Sequence, residues 1–334
     1  MASPSNDEWL ALVTEDIVDP ERRIIDPHHH LWETATNWGR YVLEDLWRDT
    51  ESGHNIEKTV FIDCRSSYRT EGPEHLRPIG ETEFVASVAA ESLEADGKAT
   101  IAAIVSHANM MLGDGVEEVL NAHEEAGNGL FRGIRHAGPH DTTDTLTNRG
   151  SGRPCPYSRS DFRQGVNRLG ELGYTYDTWH FYHQNRDYLE LAKAVPNTTM
   201  ILDHFGTPLG VGAYAGRQQE IFEQWKTDIA DIAKCPNVHA KLGGMAMPDN
   251  GFGWDKNPRP PTSDEFVDAQ RPYYLHTIEC FGPARCMFES NFPVDRLSIS
   301  YHVLWNGLKK IVADFTDDEK DQMFYRTAAE VYKI

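Results

Sequence analysis

The stretch Ile24-Ile-Asp-Pro-His-His-His-Leu-Trp32 starts as an apolar, β-branched run and ends in three consecutive histidines. In a strand, alternate side chains point the same way. His28 and His30 therefore share a face, and His29 points away. Two imidazoles placed like this hold one Zn²⁺ or similar ion, each through a neutral ring nitrogen. The plainer reading is a histidine-rich loop without metal. Which fold this strand belongs to is decided by the segments downstream of it.

Short β-rich runs recur after Arg23 to His29: Thr59 to Cys64, Ile101 to Ala108, Phe131 to Ala137, Tyr174 to Phe181, Thr199 to Gly206, Val238 to Met245 and Cys286 to Pro293. Helical spacing fills most of the intervals. Ile221, Phe222, Trp225, Ile229 and Ile232 fall on one face, as do Val303, Leu304, Leu308, Ile311 and Val312. Thr316-Asp-Asp-Glu319 reads as a capping box that starts the last helix. Strand-helix alternation predicts a parallel sheet, and eight rounds of it predict a closed α/β barrel of the (β/α)8 TIM type. No G-x-G-x-x-G follows the first strand, which disfavours a dinucleotide fold.

Residues 32–57, 138–160 and 246–264 break the rhythm. Each follows a strand, on the face where barrel enzymes keep their sites, and long loops there shape substrate pockets. There is no internal repeat and no evident boundary, so residues 1–334 are expected to form one barrel domain.

The 52 acidic residues outnumber the 32 basic ones, for a formal net charge of −20. Nucleic acid and anionic membranes are therefore poor partners. The excess reads as a solvated acidic surface, with a salty habitat or a basic partner as the alternatives. Five scattered cysteines without a C-x-x-C pair do not make a disulfide framework, so a reducing cytoplasm is expected. Neither a signal peptide nor a membrane span is visible. The expected partner is a small-molecule substrate, and a homo-oligomer is compatible with the sequence.

Two further passages bear on chemistry. Met200-Ile-Leu-Asp-His-Phe-Gly-Thr-Pro208 delivers Asp203 and His204 at the end of strand six, where His204 could complete a three-nitrogen site. A capped strand end with a hydrogen-bonded histidine is the plainer alternative. Cys286-Met-Phe-Glu-Ser-Asn-Phe-Pro-Val-Asp295 places Glu289 and Asn291 two apart at the end of strand eight. A carboxylate there could accept a proton from metal-bound water. The alternative is a helix-entry turn capped by Asp295.

Together these passages resemble the amidohydrolase superfamily, and within it the lactonase-like branch of metal-dependent TIM-barrel hydrolases (amidohydrolase family 2). The resemblance runs nearly end to end. It includes Asp26-x-His28-x-His30-x-Trp32, Tyr68-Arg69, Phe131-Arg-Gly-Ile-Arg-His136, Tyr176-Asp-Thr-Trp179 with Tyr182-His-Gln184, Asp203-His-Phe-Gly206 and the end of strand eight. It implies a barrel with its site at the strand ends and hydrolysis of cyclic esters such as sugar lactones or aromatic-pathway lactones. Some members resemble decarboxylases instead, and some lactonases of the branch work without metal. The family commonly ends strand eight in Gly-Ser-Asp-Trp-Pro, where the Asp is base and metal ligand. This sequence has Asn291 there, and Asn is no base at neutral pH, although its oxygen can coordinate or hydrogen-bond. Glu289 is the first substitute, then Asp295 and His180. Phe131 to Ala137 lacks the lysine with which two-metal members bridge their ions, which points to a single metal.

The expected site is thus a divalent metal, Zn²⁺ first, held by His28, His30, His204 and Glu289, with Glu289, Asn291 and His204 as catalytic groups. Arg69, Arg132, Arg135 and His136 are candidates to bind a substrate carboxylate or polarise a carbonyl. Trp179 and His183 are further candidate pocket residues, His107 is either a pocket residue or a core histidine, and His54, His75 and His123 read as surface or loop residues. The expected activity is hydrolysis of a lactone or related cyclic ester of a small carboxylated substrate. The alternatives are a metal-dependent decarboxylase of an aromatic or unsaturated acid and a binding protein with a decayed site.

Overall fold

A computed structural model describes residues 6–36, 39–143, 146 and 154–334 of the chain. Its main sheet has eight strands: β1 (Arg23–His29), β2 (Asn55–Ile62), β3 (Thr100–Ser106), β4 (Phe131–Arg135), β5 (Thr175–Thr178), β6 (Met200–Leu202), β7 (Val238–Leu242) and β8 (Cys286–Phe288). Each is paired in parallel with the next. The ring closes between its ends. His29 bridges Phe292, His30 N donates to Phe292 O at 2.8 Å, and Asn291 N donates to His28 O at 3.0 Å. The structure is the (β/α)8 barrel expected from the strand-helix alternation.

A helix follows every strand: α1 (Leu43–Thr50), α2 (Ile79–Glu94), α3 (Val116–Ala126), α4 (Ser160–Glu171), α5 (Asn185–Ala194), α6 (Gln218–Ile232), α7 (Ser263–Phe281) and α8 (Tyr301–Ile311). The apolar stripes do what their spacing implies. Ile221, Trp225, Ile229 and Ile232 of α6 are buried against the barrel, as are Val303, Leu304, Leu308 and Ile311 of α8. The capping box forms: Glu319 N donates to Thr316 Oγ1 at 3.3 Å, and Thr316 N donates to Glu319 Oε2 at 2.9 Å. Among the described residues, no helix is long and apolar enough to cross a membrane.

Alternation divides the strand residues between two cores. In β7, Val238, Ala240 and Leu242 join the large cluster between sheet and helices. Ile25, Val60, Ile62, Ala103, Val105, Ile201 and Met287 form a separate cluster inside the barrel with Ala328 and Tyr332 of the C-terminal helix Thr327–Tyr332. That helix covers the N-terminal end of the strands, and Tyr332 O accepts from Arg132 Nε at 2.7 Å. The opposite end is left to polar side chains.

Several strands stop earlier than their apolar runs suggest. β6 ends at Leu202, and the next residues turn sharply, with His204 and Phe205 at φ 52° and 59°. After β8, Asn291 holds φ 56°. Non-glycine residues rarely adopt this left-handed region, and here it aims side chains over the barrel mouth. The loop at 32–57 contains an antiparallel hairpin, Trp32–Thr36 with Gly39–Tyr41, and then α1. Residues 246–264 contain two short 3-10 turns, Pro248–Asn250 and Trp254–Lys256. Part of the loop at 138–160 lies outside the described residues.

Candidate active site

The end of β1 presents His28 and His30 as the alternation predicts. Their ring centroids are 5.0 Å apart, whereas His29 turns to the other side and meets Thr59 Oγ1 at 3.0 Å. The turn after β6 brings His204 beside them, its ring 4.5 Å from that of His28. β7 makes room for it. A Cβ on Gly244 (φ +72°) would collide with the His204 ring, and one on Gly243 would collide with Glu289.

Glu289, fully buried at the end of β8, links two of these imidazoles. Its Oε1 accepts from His204 Nδ1 at 2.7 Å, and its Oε2 lies 2.8 Å from His28 Nδ1. Arg135, at the end of β4, sets Nη1 3.3 Å from His28 Nε2 and 3.8 Å from Asp203 Oδ2, while its Nη2 donates to Asp63 O. Below the imidazoles, the Lys241 ammonium meets Asp177 Oδ2 at 2.7 Å, Asp203 Oδ1 at 3.3 Å and His28 Nδ1 at 3.3 Å.

Burial dominates the electrostatics, because removing water penalises the charged form. It holds His28 and His30 well below the usual histidine range and His204 at about 3, so the imidazoles are neutral donors. It lifts Glu289 to about 8 and Asp203 to about 6. At Lys241 burial is outweighed by Asp177, Asp203 and Glu289, and the ammonium is held above its ordinary value. At Asp63 burial is outweighed by His107, Arg135 and Arg65, which keep its carboxyl below the ordinary range.

These residues fit a divalent ion. One ligand atom from each of His28, His204 and Glu289 lies within 4.8 Å of the others, a nitrogen-nitrogen-oxygen set of the kind zinc takes. Both carboxylate oxygens of Asp203 and Oε2 of Glu289 are buried without a hydrogen bond. Asp177, Asp203 and Glu289 crowd together beside Lys241 and Arg135, and a further cation among them would favour their ionised forms. His30 lies outside this three-residue group; its Nδ1 meets Ile62 O at 2.8 Å.

Above the cluster opens a cavity of about 1000 Å³, lined among others by His30, His204, Arg135, Asn291, His136 and Trp179. With this arrangement in view, comparison with known proteins is informative. The amidohydrolase family profile matches residues 25–334. The chain belongs to the amidohydrolase family. An uncharacterised protein, y4mH, of Sinorhizobium fredii is 31% identical over 331 residues, covering 93% of this chain and 98% of its own length. The L-rhamnono-gamma-lactonase of Scheffersomyces stipitis is 24% identical over 354 residues, covering 93% and 99%. The L-fucono-1,5-lactonase of Burkholderia multivorans is 26% identical over 181 residues, covering 52% and 56%. Among solved structures, an amidohydrolase from Burkholderia multivorans with bound zinc superimposes with a TM-score of 0.70 at 21% identity, covering 93% of this chain and 99% of that one.

Several site residues of this amidohydrolase lie elsewhere than their sequence positions suggested. Arg69 is exposed and paired with Glu83, so it does not line the cavity. His183 is exposed too, with Nε2 on His140 O at 2.8 Å, because the turn at Tyr182–Gln184 points it outward. Arg132 faces the opposite end of the barrel and bonds carbonyls of Gly129, Phe131 and Tyr332. His180 is buried against Asn185 Oδ1 at 2.9 Å. Asp295 sits behind the cavity wall, accepting from Asn291 Nδ2 at 2.9 Å and Ala246 N at 3.0 Å. His54 and His123 are buried structural residues, the latter bridging Thr82 Oγ1 and His107 O. His107 lines the cavity, with Nδ1 on Arg135 O at 3.0 Å.

Three functional candidates escaped the sequence reading: Asp63 and Arg65 after β2 and Asp177 in β5. Lys241 in β7 is evident as a charged residue on strand seven, but the sequence reading leaves its direction open. Strand alternation carried a usable signal for Lys241, since it faces opposite to Val238, Ala240 and Leu242. Nothing comparable marked Arg65.

Proposed function

We propose that this chain hydrolyses a lactone or related cyclic ester of a small carboxylated substrate. The observation that carries the reading is the buried His28–Glu289–His204 cluster at the floor of a cavity walled by Arg135, His107 and His136. The guanidinium groups of Arg65 and Arg135 at this cavity, in a protein of net charge −20, favour an anionic small molecule. Relatives named as lactonases of rhamnonate and fuconate lactones support the ester chemistry.

His28, His204 and Glu289 would hold a divalent ion, Zn²⁺ first. When bound, it would supply Lewis acidity to the ester carbonyl and ease deprotonation of water. Arg135 orients the substrate and donates to developing negative charge on its oxygen. Glu289 takes the proton of the attacking water. Burial raises its carboxyl above the ordinary carboxylate range, which makes it a stronger proton acceptor. The water oxygen bonds to the carbonyl carbon, the ring carbon–oxygen bond breaks, and the proton passes from Glu289 to the leaving alkoxide. The product is the open hydroxy acid. Asn291 lines the cavity from a position tied to Asp295, and its amide serves as a hydrogen-bonding partner for substrate rather than as a base. Trp179 and His136 form the wall against which the ring rests.

The test is acid release from a panel of carboxylated and neutral lactones by zinc-loaded protein, repeated with His28→Ala and His204→Ala. Loss of both zinc and turnover is expected in each variant. Undiminished turnover, or carbon dioxide release from an open acid in place of ester cleavage, sinks the reading.

A further inference from the structure

The Lys241 ammonium occupies a place that would suit a cation of another kind. The side chain is fully buried. Around its nitrogen stand Asp177 Oδ2 at 2.7 Å, Asp203 Oδ1 at 3.3 Å and His28 Nδ1 at 3.3 Å. Two carboxylates and an imidazole are donors that divalent metals accept. Part of the shell is held by groups other than the lysine. Tyr332, from the helix that covers the base of the barrel, donates to Asp177 Oδ2 at 2.7 Å. Asp203 points two oxygens inward without a hydrogen bond to either. Such a buried carboxylate is satisfied only by charge, and Lys241 and Arg135 supply it.

This shell adjoins the His28–His204–Glu289 group and shares His28 with it. Two adjacent cation places, one of them filled by a side chain, lead to a definite stoichiometry. We propose that the Lys241 ammonium takes the place of a second metal ion and limits the site to one. The inference rests on the reading that His28, His204 and Glu289 hold a metal. An ammonium beside a divalent ion repels it, but carries half the charge and is anchored to the strand, so the pair can coexist.

The experiment counts zinc. Full-length wild type, Lys241→Ala and Lys241→Ser are stripped with chelator, reloaded with Zn²⁺, desalted and analysed for zinc per chain, with near-UV circular dichroism to check the fold. The serine variant opens the ammonium's place with a small polar side chain, so it decides the matter if the alanine variant does not fold. The expected counts are one for wild type and two for the variants, with a second binding step in a calorimetric Zn²⁺ titration of the variants. One zinc in wild type and one in a folded variant overturns the role given to Lys241 and leaves the metal site standing. No zinc in wild type removes the metal reading itself, and the proposal with it.

Discussion

The two ends of the barrel are built from the same strands on opposite terms. At the base, Ile25, Val60, Val105 and Met287 close on Tyr332 and Ala328 as an apolar layer. At the mouth, strands of the same barrel give way to His28, Asp63, Asp203 and Glu289, all buried, with Asp203 and Glu289 short of hydrogen bonds. His204, Phe205 and Asn291 hold left-handed backbone there, a conformation that costs of order 1–3 kcal/mol each. The difference teaches that stability and chemistry are separated along each strand, the base favouring the folded state and the mouth drawing on that surplus. Substitutions at the two ends should therefore fail in different ways.

The largest effect is expected at Glu289. Glu289→Gln keeps the shape and removes the proton acceptor, so kcat/KM should fall by about 10²–10⁴. The melting temperature should hold or rise, because burial already disfavours the charged carboxylate. A variant that loses stability in proportion to activity would make Glu289 a structural residue and erase the contrast. Ile25→Ala at the base is the converse. Truncating a buried isoleucine costs about 2–5 kcal/mol of stability, visible as a lower urea midpoint, while kcat/KM below the transition should stay within about twofold by the separation of the two layers. A large loss of activity without loss of stability there would show that base and mouth are coupled.

The flank of the mouth offers a pH-dependent form of the same test. Asp49 on α1 accepts from Tyr41 OH at 2.7 Å and lies 3.7 Å from Arg296 Nε. Burial nevertheless pushes its carboxyl up to about 6. In the unfolded chain it titrates near 3.9, so between these values the folded state binds more protons. The contribution of Asp49 to stability is present below about pH 4 and is lost as pH rises through about 6. Asp49→Asn should remove that slope. Its stability relative to wild type should grow by on the order of 2 kcal/mol from pH 4 to pH 7. Parallel urea-unfolding curves across this range would mean that Asp49 has an ordinary pKa.

The base of this comparison was far more legible in the sequence than the mouth. Apolar runs and helical stripes report directly on burial, so all eight strands and the α6 and α8 faces follow from periodicity. His28, His204 and Glu289 were legible as well, because each lies at or just after the C-terminal end of a strand, where a barrel brings side chains together. Two of the failures share a cause: a residue beyond the strand end no longer obeys alternation. Arg69 and His183 each follow a turn that rotates them to the surface. Arg132 lies on a strand but near its start, so it reaches the base. Lys241 was visible on strand seven without a direction: a charged residue in an apolar strand identifies an interior partner only once Asp177 and Asp203 are placed around it.

Arg65 carries the smallest prediction and the one that best probes the mouth as a recognition surface. It lines the cavity with its backbone at φ 62°, and among the described residues it forms no ion pair within 4.0 Å, in a chain where acids outnumber bases 52 to 32. Arg159, which also lines the cavity, is already taken by Asp161. A guanidinium without a close ion pair, above Arg135, suits the carboxylate of a substrate whose ester lies deeper. Arg65→Ala should raise KM for a carboxylated lactone about tenfold, which is about 1.4 kcal/mol, and leave kcat nearly unchanged, because the lost contact binds ground state and transition state alike. A neutral lactone of the same ring size is the control and should lose nothing. Equal losses on both substrates would place Arg65 in the framework of the β2 turn, whereas a loss confined to the acid makes the rim of the mouth the part of this barrel that selects for charge.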